Sequence, residues 1–250
     1  MARRIILSGN LTRDLELKYT QSGTAVLNGN IAVNLKYGEK EKVSFVNFTV
    51  FGKYGEVLHG FNKKKGDPLY IEGRAQIDKW EKDGKNYKKL NVIVDEYETT
   101  ASGGTNIFIV TGNLVETPEI KTINGDTKVV NGSIAINYKL NKGNEYVQVT
   151  DFYQYSAFNK TAEFMANYMT KGTKVLLEGA LLVSSYENKD GDNVPTFTID
   201  VNTARFMSQK NDNENVEKND TEENPATDDI DEDIDELDED IDIDEDLDDI

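Results

Sequence analysis

Apolar and polar residues alternate through most of the first 207 positions with the two-residue period of strands buried on one face. The runs Ile5-Ile6-Leu7-Ser8-Gly9-Asn10-Leu11, Ala25 to Val33, Val43 to Phe51, Pro68 to Ile77 and Tyr87 to Val94 are rich in β-branched and aromatic residues, with turn-formers between them. They predict five strands. Between the third and fourth, Lys53 to Asn62 has helical spacing, and the same change of period returns at Lys160 to Met169. Asp83-Gly84 and Asp190-Gly191 fall between the last two strands of their regions, where a hairpin tip needs a residue that tolerates positive φ.

The pattern occurs twice. Residues 5–34 laid on 108–137 at a constant offset of 103 agree at 13 of 30 positions without a gap, where average composition gives about two. The shared words include Gly9-Asn10-Leu11 with Gly112-Asn113-Leu114, and Val26-x-Asn28-Gly29-x-Ile31-Ala32-x-Asn34 with Val129-x-Asn131-Gly132-x-Ile134-Ala135-x-Asn137. Two copies of this length are a domain duplication and not a solenoid. Five strands with one helix between the third and fourth is the OB topology, a small barrel whose face and loops take oligonucleotides or oligosaccharides. The fold class expected is all-β: two tandem five-stranded OB barrels, each with one short helix, at 1–100 and 107–207. A linker at 101–106 joins them, and a disordered acidic tail occupies 208–250.

Charge separates the tail from the body. The net charge of −18 seems wrong for a protein that grips a polyanion, yet residues 1–100 sum to +4, residues 101–207 to −2 and residues 208–250 to −20. The first copy is therefore free to bind nucleic acid. There is no cysteine, which removes disulfides and thiolate metal sites, fits an intracellular protein, and with the absence of a cofactor motif leaves no cofactor expected. The opening Met1-Ala-Arg-Arg-Ile-Ile-Leu-Ser has an apolar run too short for a signal peptide or a membrane span, so the cytoplasm is the expected compartment and no membrane partner is expected.

The first copy resembles the bacterial and phage single-stranded DNA-binding protein family. The residues that carry the resemblance are Gly9-Asn10-Leu11-Thr12-x-Asp14-x-Glu16-Leu17-Lys18-Tyr19-Thr20-x-Ser22-Gly23-Thr24-Ala25-Val26, Ile31-Ala32-Val33-Asn34, Val50-Phe51-Gly52-Lys53, Tyr70-Ile71-Glu72-Gly73-Arg74 and Lys79-Trp80. The second copy is similar more loosely and diverges after Asn137. The resemblance implies an OB fold, sequence-tolerant binding of single-stranded DNA, assemblies presenting four OB folds, and an acidic tail that recruits replication and recombination proteins. A homodimer of this two-barrel chain would present four; a monomer is the alternative, because duplication can replace assembly.

Binding without sequence preference needs flat aromatic faces for bases and cations along the phosphates. Phe45 and Phe51 lie six apart, on one face of a strand and roughly 20 Å from each other. Trp80 stands among charged residues in the next hairpin, and Tyr37 is placed in a loop before Phe45. Phe45, Phe51 and Trp80 match positions where the family stacks bases. Phe152 and Phe158 repeat the spacing, and Tyr186 stands where Trp80 does. The ordinary fate of a phenylalanine in such a domain is the core, which is the competing reading for these rings. Candidates for tracking phosphates are Lys53, Arg74, Lys79, Lys82, Lys85, Lys88 and Lys160, with Lys63-Lys64-Lys65 as a further basic cluster.

From Asp228 the chain is nearly all acid, interrupted by Ile230, Ile234, Leu237 and Ile241 at spacings of 4-3-4. Such a segment is too charged to fold alone, but it can present an apolar stripe on a partner. It ends Asp246-Leu247-Asp248-Asp249-Ile250, similar to the partner-binding tip of the family but without its usual proline and final aromatic. A solvating polyanion that competes with DNA is the other reading. The duplication and the tail point to a phage or mobile element as source. The chain has no P-loop, no spaced His/Cys cluster and a single histidine, His59, so an enzyme is not expected. The rival to DNA binding is a scaffold in which the barrels and tail dock proteins.

Overall fold

The computed structural model describes residues 2–37, 40–82, 84–100, 104–123, 125–142, 145–187 and 193–207. Copy 1 comprises β1 (Arg3–Leu11), β2 (Glu16–Tyr19), β3 (Ala25–Tyr37), β4 (Lys40–Phe51), α1 (Gly52–Gly60), β5 (Pro68–Lys82) and β6 (Lys85–Glu98). Copy 2 repeats the order with β7 (Asn106–Leu114), β8 (Lys121–Ile123), β9 (Thr127–Lys142), β10 (Glu145–Phe158), α2 (Asn159–Tyr168), β11 (Lys174–Glu187) and β12 (Asn193–Phe206).

In copy 1 the strands run β3-β4-β6-β5-β1, and β1 also pairs with β3 through Asn10 and Ala32, which closes a five-stranded barrel. All neighbours are antiparallel except β4 and β6, which α1 and β5 separate along the chain. Copy 2 closes the same way through Asn113 and Ala135, with β10 and β12 parallel. Each barrel also has a sixth, short strand, β2 or β8, paired outside β3 or β9. These segments of four and three residues are too brief to show a period in the sequence.

The strands are also longer than the apolar runs. Polar residues carry β3–β4 and β5–β6 past the barrel as two-stranded arms, and Tyr37, expected in a loop, ends β3 opposite Lys40. Lys82 pairs with Lys85, leaving the two-residue tip predicted at Asp83-Gly84, with Gly84 at φ +72°. Asp83, the second tip Asp190-Gly191, and the tail 208–250 with its expected disorder and its tip Asp246 to Ile250 lie outside the described residues. Among the described residues no helix is long and apolar enough to cross a membrane.

Alternation sorts β4 cleanly. Val46, Phe48 and Val50 point into copy 1, and Ser44 on the same side meets copy 2; Val43, Phe45, Asn47 and Phe51 point out, as does Thr49, which Asn28 and Asn91 cover. Phe48 lies flat over Gly29, where a Cβ would stand 2.2 Å from the ring. Copy 2 places Tyr155 over Gly132 in the same way, so the glycine of each Asn-Gly word makes room for an aromatic of the facing strand. The Tyr155 hydroxyl is buried and has no hydrogen-bond partner. Tyr155→Phe, which copies the residue of the first barrel, is expected to raise unfolding stability by about 1 kcal/mol, measured by thermal or denaturant unfolding.

The copies share one twelve-stranded sheet, because β1 pairs antiparallel with β7 from Arg3–Val110 to Leu7–Asn106. At its centre Ile5 pairs with Phe108. These two residues hold corresponding places in the repeat, so a local two-fold relates the copies at this seam. The connection is stitched to β1 as well: Gly104 and Thr105 exchange backbone hydrogen bonds with Ser8, and Thr105 N–H also donates to the Ser8 hydroxyl.

Candidate nucleic-acid interface

On the outer wall of copy 1, Phe45 is 56% exposed and Phe51 is half-buried, so the phenylalanines are not core residues. Copy 2 presents Phe152 at 53% and Phe158 at 39%. The residue after the second ring of each pair, Gly52 or Asn159, has positive φ (61° and 49°), and there the strand turns into its helix. Lys53 and Lys160 follow at once, exposed on the first turns of α1 and α2. Each barrel thus repeats one unit: a ring, five intervening residues, a second ring and, two positions on, a cation.

Polar side chains fill the gap. Asn30 donates to Asn47 at 3.0 Å, Thr49 donates to Asn28 at 2.9 Å, and Asn91 donates to Thr49 at 3.0 Å. In copy 2 Gln154 donates to Ser133 at 3.0 Å and Ser156 to Asn131 at 2.7 Å, and just beyond Phe152 Thr150 donates to Asn137 at 2.6 Å. Cross-strand bonds of this kind fix rotamers on a pleated face, so the floor between the rings is flat and preorganised. Sequence reasoning passed over these residues, although the alternation Phe45-x-Asn47-x-Thr49-x-Phe51 already put them on one side.

The β5–β6 arm has two faces. On one, Trp80 stacks on Tyr87 with centroids 5.7 Å apart and planes 16° from parallel, and the Lys89 ammonium stands 5.9 Å from the indole. Trp80 is half-buried and does not stand fully free, because its cross-strand partner covers one side. Tyr87 and Lys89 were not among the expected residues. The signal was available, since residues equally distant from a two-residue tip face each other. Copy 2 has the weaker version: Tyr186 is 55% exposed, opposite Val194, and Thr196 stands where copy 1 has Lys89. Beside Trp80's strand neighbours, burial pushes the Asp78 carboxyl above the usual carboxylate range, while a hydrogen bond from Gln76 and the charge of Lys89 pull it down.

The other face of the arm turns toward copy 2. Lys79 ion-pairs with Asp151 at 3.3 Å, and Lys88 lies 5.8 Å from the Phe197 ring. Arg74 is paired with Asp95 at 3.2 Å, in a cleft of about 410 Å³ at the seam. The expected row of cations is therefore divided. Lys53 and Lys160 stand exposed at the starts of their helices, Lys79 and Arg74 are ion-paired, and the Lys82 and Tyr37 side chains lie outside the described residues. In the basic cluster Lys64 pairs with Asp14 at 3.4 Å, and Lys63 donates to the Thr99 carbonyl. Among the described residues no group of His, Cys, Asp and Glu is arranged to hold a metal.

Comparison with known proteins follows the repeat. The profile of the single-strand binding protein family matches residues 2–100 and again 105–217. A single-stranded DNA-binding protein of Wolinella succinogenes is 33% identical over 112 residues, spanning 42% of this chain and 68% of that one. The one from Thermus aquaticus is 26% identical over 210 residues, 76% of this chain and 78% of that one. The crystal structure of a deletion mutant of the Thermus aquaticus protein superposes with a TM-score of 0.68 at 22% identity, covering 86% of this chain and 98% of that chain.

Proposed function

This chain belongs to the single-strand binding protein family, and we propose that it coats single-stranded DNA without reading sequence, through the outer walls and arms of both barrels. The observation that carries this reading is the repeated unit of two exposed rings flanking a hydrogen-bonded floor, with a lysine on the next helical turn. Bases stack on rings whatever their identity, and the lysines follow the phosphates. The role is binding, not catalysis. It suits the protection of strands exposed in replication, recombination and repair in the cytoplasm.

Phe45, Phe51, Trp80 and their counterparts Phe152, Phe158 and Tyr186 stack bases, joined by Tyr87 as the platform under Trp80. Lys53, Lys85, Lys89 and Lys160 contact phosphates, with Lys88 at the edge. The tail tip Asp246 to Ile250 recruits replication and recombination proteins, and two chains assemble to present four barrels. Ile6 and Ile107, paired on the outer side of the seam with Ile107 exposed, supply apolar surface for that assembly.

Trp80 is the only tryptophan, so its fluorescence reports on the copy 1 arm alone. Titration with oligo(dT) of increasing length is expected to quench it. With five or so phosphate contacts, log affinity should fall by about 3.5 for each tenfold rise in salt. Absence of quenching, or affinity indifferent to salt, would leave the protein-scaffold reading in place. Mass measurement of the complexes gives the number of chains per strand.

A further inference from the structure

The seam between the copies is two-fold in its backbone but not in its side chains. On one side, Asp151 of β10 is fully buried. It accepts the Ile77 backbone N–H at 3.1 Å, the Tyr138 hydroxyl at 2.9 Å and the Lys79 ammonium at 3.3 Å. The Arg3 guanidinium lies 3.6 Å over the Tyr138 ring and donates to the Ala75 carbonyl at 3.3 Å. On the opposite side every corresponding position is neutral. Ser44 stands for Asp151, accepting the Val183 N–H at 3.1 Å and donating to the Leu181 carbonyl at 3.3 Å. Asn106 stands for Arg3, gripping Leu181 through both its oxygen (2.8 Å) and its nitrogen (2.9 Å). Leu35 stands for Tyr138, and Ser185 for Lys79.

We infer that this asymmetry makes the seam selective: copy 1 accepts copy 2, and neither accepts its own kind, with Asp151 as the residue that discriminates. Two first copies joined through β1 would bring Arg3 and Lys79 against Leu35 and Ser44 on both sides, two cations without a carboxylate. Two second copies joined through β7 would bury Asp151 twice beside Asn106 and Ser185, with no cation at either end. The stranded Asp151 of the second case is fully buried, which is strongly unfavourable. In the first case half-buried Arg3 and exposed Lys79 lose the carboxylate that the mixed pair gives them, a smaller cost, whereas the neutral Ser44–Asn106 side is satisfied as it stands. Only the mixed pair matches charge with charge and neutral with neutral. A second chain is thereby kept from inserting its own first barrel into the seam. The copies pair in this way whatever the barrels bind.

The test uses the full chain and its lack of native cysteine. In the mixed pair Ala2 lies beside Thr111, and Ser8 beside Thr105. In a β1–β1 pairing centred on Ile5, Ala2 of one chain would face Ser8 of the other. Ala2→Cys/Ser8→Cys therefore forms interchain disulfides only when two first copies pair. After refolding at high protein concentration and oxidation, this protein is expected to stay almost wholly un-cross-linked. Adding Arg3→Asn, Lys79→Ser, Tyr138→Leu and Asp151→Ser makes the two sides alike, and the cross-linked dimer should rise on the order of tenfold or more. Should that variant not fold, Asp151→Asn, which keeps shape and removes charge, is expected to raise the same yield. A cross-link already abundant in the parent, or unchanged by neutralising Asp151, would overturn the inference.

Discussion

Replacing Phe45, Phe51 and Trp80 together by alanine is expected to weaken single-strand binding by at least about a hundredfold while both barrels stay folded. Each ring that stacks a base is worth about 1–3 kcal/mol, so even the low end for three rings exceeds two powers of ten. Phe45 projects from the wall and Phe51 is only half-buried, so their loss costs the core little. Trp80 leaves Tyr87 in place, and some stacking should survive at the arm. The measurement is an anisotropy titration of labelled oligo(dT), since the variant has no tryptophan, with circular dichroism to verify folding. The matching variant of copy 2, Phe152, Phe158 and Tyr186 to alanine, is expected to lose less. That arm has valine and threonine where copy 1 has Tyr87 and Lys89. Equal affinity in the first variant and the parent would remove the rings from the interface.

Both phenylalanine pairs were legible because a six-residue spacing in a strand is a statement about faces, and it occurs twice. The barrel was legible for a similar reason: the duplication shows the same five apolar runs in two settings. What the sequence could not convey was how far the strands run beyond the core. Past Ile77 and Leu90 charged and polar residues occupy both faces, with Trp80 and Tyr87 as the exceptions, since one side of the arm meets solvent and the other meets the second copy. Hydrophobic alternation is then silent about where the strand stops. The same blindness mixed the lysines. Lys79 and Lys89 look alike in the chain, yet pairing in β5–β6 sends them to opposite faces, one to Asp151 and the other to Trp80. Asp151 gives no sign of its burial either, because its partners Arg3, Lys79 and Tyr138 come from three other strands.

Phe48→Ala is expected to destabilise copy 1 by about 3–5 kcal/mol, the usual range for deleting a buried phenylalanine ring. Collapse around the vacancy is restricted. The ring fills the space that Gly29 leaves open, and β3 and β4 on either side are held in a closed barrel. Repair from Gly29 is therefore instructive: Gly29→Ala, impossible with the ring present, should recover part of the loss in the Phe48→Ala background. Phe48 lies between Asn47 and Thr49, so loosening it should also disorder the floor between the two rings and lower affinity below what stability alone predicts. Unfolding followed by Trp80 fluorescence isolates copy 1. A loss under about 1 kcal/mol would mean the ring is not the centre of this core.

The pairing of β1 with β7 has a consequence for dilution. When two barrels meet as separate molecules, their union depends on how many are present. Here about seven residues separate β6 from β7, so each barrel sees its mate at an effective concentration in the millimolar range or above, fixed by the tether. A chain made at a few copies per cell thus holds a two-barrel surface as complete as one made at thousands. Scarcity can empty the DNA of this protein without splitting the unit that binds it.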